Sequence, residues 1–435
     1  MNDLRLEAKD LNQQAVMLMK AGNLDAAKEK LDKAIEIDPM TEESYKNYGD
    51  YYMAKDQYQD AKNSYKKAML IKKDGLLHFL YGNACFMNDE VHEGLEHYNL
   101  AIAEGYDTDE MMYFTGMAYE HLNDDNMALR FFSKAHAKNP SRPDFAFKRI
   151  QVMFRLNMYD EAETALDKML LTSPELFEIY HLKTHLLLQK KQFEEAVAFS
   201  KNASERFPED VDLLGDYARA LGMNGKYDES LKLIDQAKQM KYFEDSKRDI
   251  VMLEAQVSAE SGDADRAAKC CEECISYEDN YTDGEARFML LNMNLTKKDF
   301  VKAFEQAETL VSKDSGDLFY FAALYYRAYC AKKNDDINAE KYYSEANSIY
   351  RLETLKKPEA VDVYLYRAMC LKDMEQYDKA LEMLDFILNI NVDMAEIHLI
   401  KSEIYKTMGK NGLSADEMNK AYELKPELRP VESQV

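Results

Sequence analysis

The feature that most restricts the fold is a pattern the chain repeats every 34 residues. Leu11, Ala15, Leu18, Ala27, Leu31 and Ala34 are small or apolar, and Pro39 closes the stretch. Tyr45, Gly49, Tyr52, Ala61, Tyr65 and Ala68 each stand 34 residues further on. A fixed period of this length marks a solenoid, in which each unit buries its apolar face only against its neighbours. Apolar residues three and four apart give two helices per unit, and signals such as Gly22-Asn23 place a bend between them.

The same positions return along the whole chain. The small residue of the first helix recurs as Gly82, Gly116 and Ala218. The Ala that opens the second helix recurs as Ala128, Ala162, Ala196, Ala267, Ala303, Ala339 and Ala380. A late Ala follows at Ala101, Ala135, Ala203, Ala237, Ala346 and Ala421, with exit prolines at Pro140, Pro174, Pro208 and Pro426. The pattern resembles the tetratricopeptide repeat. Small residues let two antiparallel helices cross closely, and large ones fill the gap to the next unit. The expected fold is all-α: a right-handed α-solenoid (superhelix) of about twelve helix-turn-helix repeats. They begin near Lys9, Glu42, Gly75, Asp109, Pro143, Phe177, Val211, Arg248, Gly284, Tyr320, Val361 and Ala395.

The period holds close to 34 up to Val211 and then lengthens, with extra residues around 242–247, 277–283 and 351–360. Two stretches are therefore expected. One is a regular solenoid over 1–241 with about seven repeats, and the other a less regular one over 242–428 with about five. The polar tail 429–435 is too short for a capping helix.

Only 15 Gly and 8 Pro occur in 435 residues, in keeping with a nearly all-helical chain. The formal net charge of −24 argues against nucleic acid or an anionic membrane surface as partner, since both call for a basic face. A protein or peptide with a basic or apolar segment fits better. The start MNDLRLEAKD lacks the basic and apolar regions of a signal peptide, and no window is apolar enough to span a bilayer. Six cysteines without framework spacing suit a reducing cytoplasm.

Catalytic signatures are missing: there is no Gly-rich phosphate loop, nucleophile elbow or HExxH. No enzyme activity and no cofactor are expected. Cys270, Cys271 and Cys274 form CCxxC, but Cys271 and Cys274 fall on inward positions and read as small core residues. His181 and His185, four apart on one helix, share a face. Asp212 and Asp216 of the next repeat could add a carboxylate, yet a polar lining or partner contact is the preferred reading, so no metal is expected.

In folds of the family it resembles, the first helix of each unit lines the concave surface, with its second, fifth, ninth and twelfth residues pointing inward. That resemblance implies a partner-binding groove at Phe79, Phe86, Tyr113, Met117, Phe147 and Phe154, with Phe114 one position aside. A weaker patch comprises Phe288, Met289, Tyr325, Tyr366 and Met369. Some relatives grip the acidic tail of chaperones through a carboxylate clamp. The corresponding residues here are Asn12, Val16, Asn47, Leu76 and Leu80, of which only Asn47 fits, so no chaperone-tail clamp is expected. The expected function is a non-enzymatic adaptor or scaffold that holds an extended peptide or partner helix. A peptide-sensing regulatory receptor without a DNA-binding domain, or a self-associating scaffold, is the alternative.

Overall fold

The computed structural model describes residues 2–277, 283–313, 319–390 and 394–429. The expected insertion around 277–283 and the tail beyond 429 therefore lie mostly outside the described residues. Among the described residues the chain forms twenty-four α-helices, and no strand. Cα packing divides it into two compact units, Met1–Lys191 and Gln192–Val435. The first holds α1 (Asn2–Lys20), α2 (Leu24–Ile37), α3 (Glu42–Met53), α4 (Tyr58–Ile71), α5 (Gly75–Met87), α6 (Val91–Ala103), α7 (Asp109–His121), α8 (Asp125–Lys138), α9 (Pro143–Arg155), α10 (Tyr159–Thr172) and α11 (Phe177–Gln189). The second holds α12 (Phe193–Arg206), α13 (Val211–Met223), α14 (Tyr227–Ala237), α15 (Phe243–Ser261), α16 (Ala264–Ser276), α17 (Asp283–Thr296), α18 (Phe300–Ser312), α19 (Tyr320–Lys333), α20 (Ala339–Lys356), α21 (Val361–Asp373), α22 (Tyr377–Asn389), α23 (Ala395–Thr407) and α24 (Asn411–Leu424).

Odd-numbered helices are the first helices of the twelve repeats, and most pack on the second helix that follows. Nine begin at the residue the repeat register predicts: Glu42, Gly75, Asp109, Pro143, Phe177, Val211, Tyr320, Val361 and Ala395. Two depart from it. α1 begins at Asn2 rather than near Lys9, and α15 begins at Phe243 rather than near Arg248. In α1, helix formers such as Leu4, Arg5 and Glu7 run ahead of the apolar pattern, and α15 places Glu244 and Asp245 in its first turn, where they favour the dipole.

The bend inside each repeat has one backbone solution. Gly22, Asp56, Asp89, Asn123, Asn157, Lys191, Gly225, Gly262, Lys298, Asp335, Glu375 and Gly409 all adopt positive φ, one per repeat. The left-handed residue ends the first helix and reverses the chain. Several helix starts are capped from the side chain: Asp74 accepts from the Leu77 amide at 3.0 Å, and Thr108 from that of Met111 at 3.1 Å, whereas Thr41 before α3 makes no such bond.

Within a repeat, the eighth residues of the two helices meet and exchange volume. In repeats two to four they are Gly49 with Tyr65, Gly82 with Tyr98, and Gly116 with Phe132. A Cβ on Gly82 would stand 2.6 Å from the Tyr98 ring, and one on Gly116 2.7 Å from that of Phe132. The aromatic ring thus lies where a larger first residue would be. Its hydroxyl, when present, is satisfied by the residue after the glycine: Tyr65 donates to Asp50 Oδ1 and Tyr98 to Asn83 Oδ1, both at 2.7 Å. Where Met117 follows Gly116, the ring is Phe132 and needs no acceptor. Other repeats solve the same space differently, with Ile150 and Leu166 in one buried cluster and Ala218 and Ile234 in another.

The second unit carries its longest helices at α15 and α20, of 19 and 18 residues. It also buries charge. Glu254 on α15 is 4% exposed and bonds Lys238, which follows α14, and Arg266 on α16, whose Nη2 lies 2.6 Å from Oε1.

Candidate functional site

The wall made by the first helices of the first unit brings some of the expected groove residues together and encloses others. Phe79 on α5 is 4% exposed, its ring packed on Tyr98, Tyr106 and Phe114 at centroid distances of 6.0, 5.4 and 5.9 Å. It is core to this wall rather than a contact surface. Tyr113 on α7 is half-buried and leans on Phe145 at 5.0 Å, Phe132 at 5.6 Å and Phe114 at 5.9 Å. Phe86 and Phe114 are half-buried against the same core cluster, and Met117 joins the smaller one around Phe132 and Val152. Phe147 and Phe154 on α9 belong to the next cluster, with Leu182 of α11.

Between α9 and α11 the wall opens into a cavity of about 490 Å³ lined by Gln151, Phe154, Arg155, Asn157, Tyr159, His181, Leu182, His185 and Gln189. Phe154, Tyr159 and Leu182 give it an apolar floor, and amide, imidazole and guanidinium groups form the rim. The His181 and His185 rings lie 4.5 Å apart, one helical turn from each other. Arg155 is held by Asp125 through Nε at 2.9 Å and Nη2 at 2.7 Å, and by Glu120 at 2.8 Å. The hydrogen bonds to Asp125 keep the guanidinium charged and its pKa raised. Asp212 and Asp216 belong to the second unit.

A cavity of the same volume, about 490 Å³, lies in the second unit between α13 and α15. Its lining is Arg219, Gly222, Met223, Tyr227, Leu253, Gln256, Val257 and Glu260. Arg219, Gly222, Met223 and Tyr227 each stand 68 residues, or two periods, after Gln151, Phe154, Arg155 and Tyr159. Leu253, Gln256 and Glu260 each stand 71 after Leu182, His185 and Gln189. The two cavities are one pocket of the repeat, formed twice. In the second, Gly222 replaces the ring of Phe154, a Cβ there would stand 3.0 Å from Val257, and Arg219 Nη1 reaches Gln256 Oε1 at 3.4 Å.

Of the weaker patch, Tyr325 is interior and Phe288, Met289, Tyr366 and Met369 are half-buried. Tyr325 is 3% exposed and donates to Asp373 Oδ2 at 3.0 Å, the atom that also accepts from Tyr343. Phe288 stacks on Phe319 at 4.8 Å, Tyr366 packs 6.3 Å from Tyr325, and Met289 and Met369 lean on separate core clusters. Asn47, the one residue that matched a clamp, is buried and donates to Asn12 Oδ1 at 3.1 Å, while Asn12 donates to Ser44 Oγ at 2.8 Å. Its amide serves the contact between two first helices.

Cys270, Cys271 and Cys274 lie on α16 as buried free thiols. Burial pushes the thiols of Cys270 and Cys271 up to about 12, far from a reactive thiolate. Cys85, Glu90 and Glu93 also converge in the first unit, but Lys62 donates to both carboxylates and the Tyr81 hydroxyl to Glu93 at 2.7 Å. Among the described residues no helix is long and apolar enough to cross a membrane.

Models of the tetratricopeptide repeat match residues 11–39, 42–74 and 187–243, stretches that fold as the paired helices described above. The chain is a tetratricopeptide repeat protein. Among curated proteins it is 22% identical, over 170 residues, to anaphase-promoting complex subunit 3 of Schizosaccharomyces pombe, covering 37% of this chain and 24% of that relative. The chain thus spans about a quarter of the length of the curated relative it matches. Solved structures with related architecture include the hetero-tetramer Cut9-Hcn1 of the APC/C (14% identity, TM-score 0.45, covering 97% of this chain and 93% of that one). PilF of Pseudomonas aeruginosa is 18% identical with a TM-score of 0.41, covering 49% of this chain and 96% of its own. A tetratricopeptide repeat protein of Parabacteroides merdae is 16% identical with a TM-score of 0.44, covering 67% and 99%.

Proposed function

We propose that this tetratricopeptide repeat protein is a non-enzymatic adaptor whose first-helix walls hold an extended segment of a partner protein. The observation that carries the reading is the cavity formed twice at one repeat position, each time with an apolar floor and a hydrogen-bonding rim. Such a pocket takes an apolar side chain while its rim holds the backbone beside it. Half-buried Phe86 on α5, Tyr113, Phe114 and Met117 on α7, and Phe147 on α9 add apolar surface on the first helices. With a net charge of −24, the preferred segment combines basic with apolar residues. The sequence relative is a subunit of a multi-protein complex, which supports a scaffolding role. Six buried free thiols favour a cytoplasmic setting. The change of regularity near residue 242 is proposed as a boundary in the repeat pattern, one that falls between the helices lining the second cavity.

A displayed library of short random peptides tests this. Panning on the full chain is expected to enrich sequences that pair Lys or Arg with Leu or Phe. Phe154→Ser should weaken the best of them at least about tenfold, the loss expected when an anchor residue of a pocket is removed. Phe79→Ala makes a poor probe, because removing a buried ring costs about 3–5 kcal/mol of stability whatever the ring binds. Enrichment of acidic sequences, or equal binding by the Phe154 variant, would sink the reading.

A further inference from the structure

In a chain that is strongly acidic overall, residues 126–159 carry seven Lys and Arg against one acid, Asp144. Most of these cations are neutralised. Lys138 pairs with Asp107 at 3.0 Å, Arg142 with Asp144 at 2.6 Å, Lys148 with Glu120 at 2.9 Å, and Arg155 with Asp125 and Glu120. Arg149 on α9 is different. It is half-buried, and its Nε is shut from solvent with no hydrogen-bond acceptor. Nδ1 of His136, on α8, is likewise buried without a partner. Lys168, on α10, is exposed. Among the described residues no carboxylate pairs with Arg149 or Lys168.

Helices α8 and α10 both pack on α9, so the three cationic residues come from adjoining helices. Burial, then Arg149, then Lys168 hold the His136 imidazole below its usual pKa. Burial alone lowers that of Arg149, with no anion to offset it. A guanidinium half out of water and without a counter-charge is costly unless an anion completes its shell.

We propose that the surface where α8, α9 and α10 meet is a binding site for a phosphate monoester dianion. Three donors from three helices suit a tetrahedral group with three acceptor oxygens better than a planar carboxylate. Two permanent cations match its charge, and His136 Nδ1 either donates from the neutral ring or adds a third charge once the dianion is present. Residues 151, 154 and 155 line the cavity on the first-helix wall, whereas Arg149 lines neither cavity, so the site is separate from the proposed peptide wall.

The test follows the ring Cε1–H resonance of His136 in the full chain by NMR while O-phosphoserine is added. A short phosphoserine peptide, inorganic phosphate, sulfate and acetate are titrated at matched ionic strength. Saturable binding of O-phosphoserine is expected, with the His136 midpoint moving to higher pH. Arg149→Gln should weaken it at least about tenfold. The exposed Lys168→Gln, which leaves folding untouched, should weaken it about threefold. Tighter binding of the phosphoserine peptide assigns the monoester to a protein partner, and equal binding assigns it to a small molecule; both support the site. Acetate or sulfate acting as strongly as the monoester, binding of inorganic phosphate alone, or an Arg149→Gln variant of unchanged affinity and native circular dichroism would each overturn it.

Discussion

Gly116→Val is expected to cost about 3 kcal/mol of stability, the upper end of what overpacking a filled core brings. The added carbon would meet Cδ1 and Cε1 of Phe132 at 2.7 Å, and that ring is fully buried and has nowhere to go. Removing a glycine from a helix interior returns only about 0.5 kcal/mol of backbone entropy and propensity, so the clash dominates. The informative result is the pair. Phe132→Leu alone should cost about 1–2 kcal/mol as a cavity. The double variant should be more stable than Gly116→Val, because Ile150 and Leu166 already fill this crossing in repeat five. Urea unfolding of the four proteins gives the interaction energy directly. If the two costs simply add, the volumes at this crossing are independent and the packing account fails.

Glu254→Ala is expected to lower the stability of the second unit by about 3 kcal/mol, in the range for breaking a buried ion pair from one side. Its carboxylate is the shared acceptor of Lys238 and Arg266, and Arg266 keeps only Asp235 at 2.8 Å when it is gone. Burial pushes the Glu254 carboxyl up, but hydrogen bonds from Lys238 and Arg266 outweigh it, and the net pKa lies below the ordinary value. The sign for pH follows. The stabilisation is complete above the unfolded pKa of about 4.3 and is lost as pH falls through the lower folded value. Thermal midpoints should separate wild type from Glu254→Gln by a constant amount near neutrality, with the gap closing in acid. A gap that widens as pH falls would refute the assignment.

Most of the fold is written in the spacing of small residues, because two helices can cross closely only where a side chain is missing. That is why Gly49, Gly82 and Gly116 locate their repeats to the residue. Helix ends set by charge and propensity leave no such mark, and α15 runs five residues beyond its apolar pattern for that reason. The candidate site was legible only in part. Counting positions along a first helix finds the side it faces, and Phe154, His181 and His185 do line the cavity. It does not tell whether a ring lies open or folds under its neighbours, and Phe79 and Tyr325 fold under. Arg219 and Gly222 escape a search for aromatic residues, since in the second cavity a glycine stands where the first has the Phe154 ring. Arg149 had a signal in the acid-poor stretch 126–159, which whole-chain charge conceals.

The eighth-residue pairing has a consequence for how such a chain can change length. A segment cut and rejoined between whole repeats carries both members of each pair with it, and the new junction keeps each crossing matched. A cut in the bend between helices divorces them: the first helix of repeat five followed by the second of repeat four would set Ile150 against Phe132. The module that recombination can copy or delete at little cost is thus the whole hairpin, and the left-handed residue at its tip, though exposed, is the wrong place to break it.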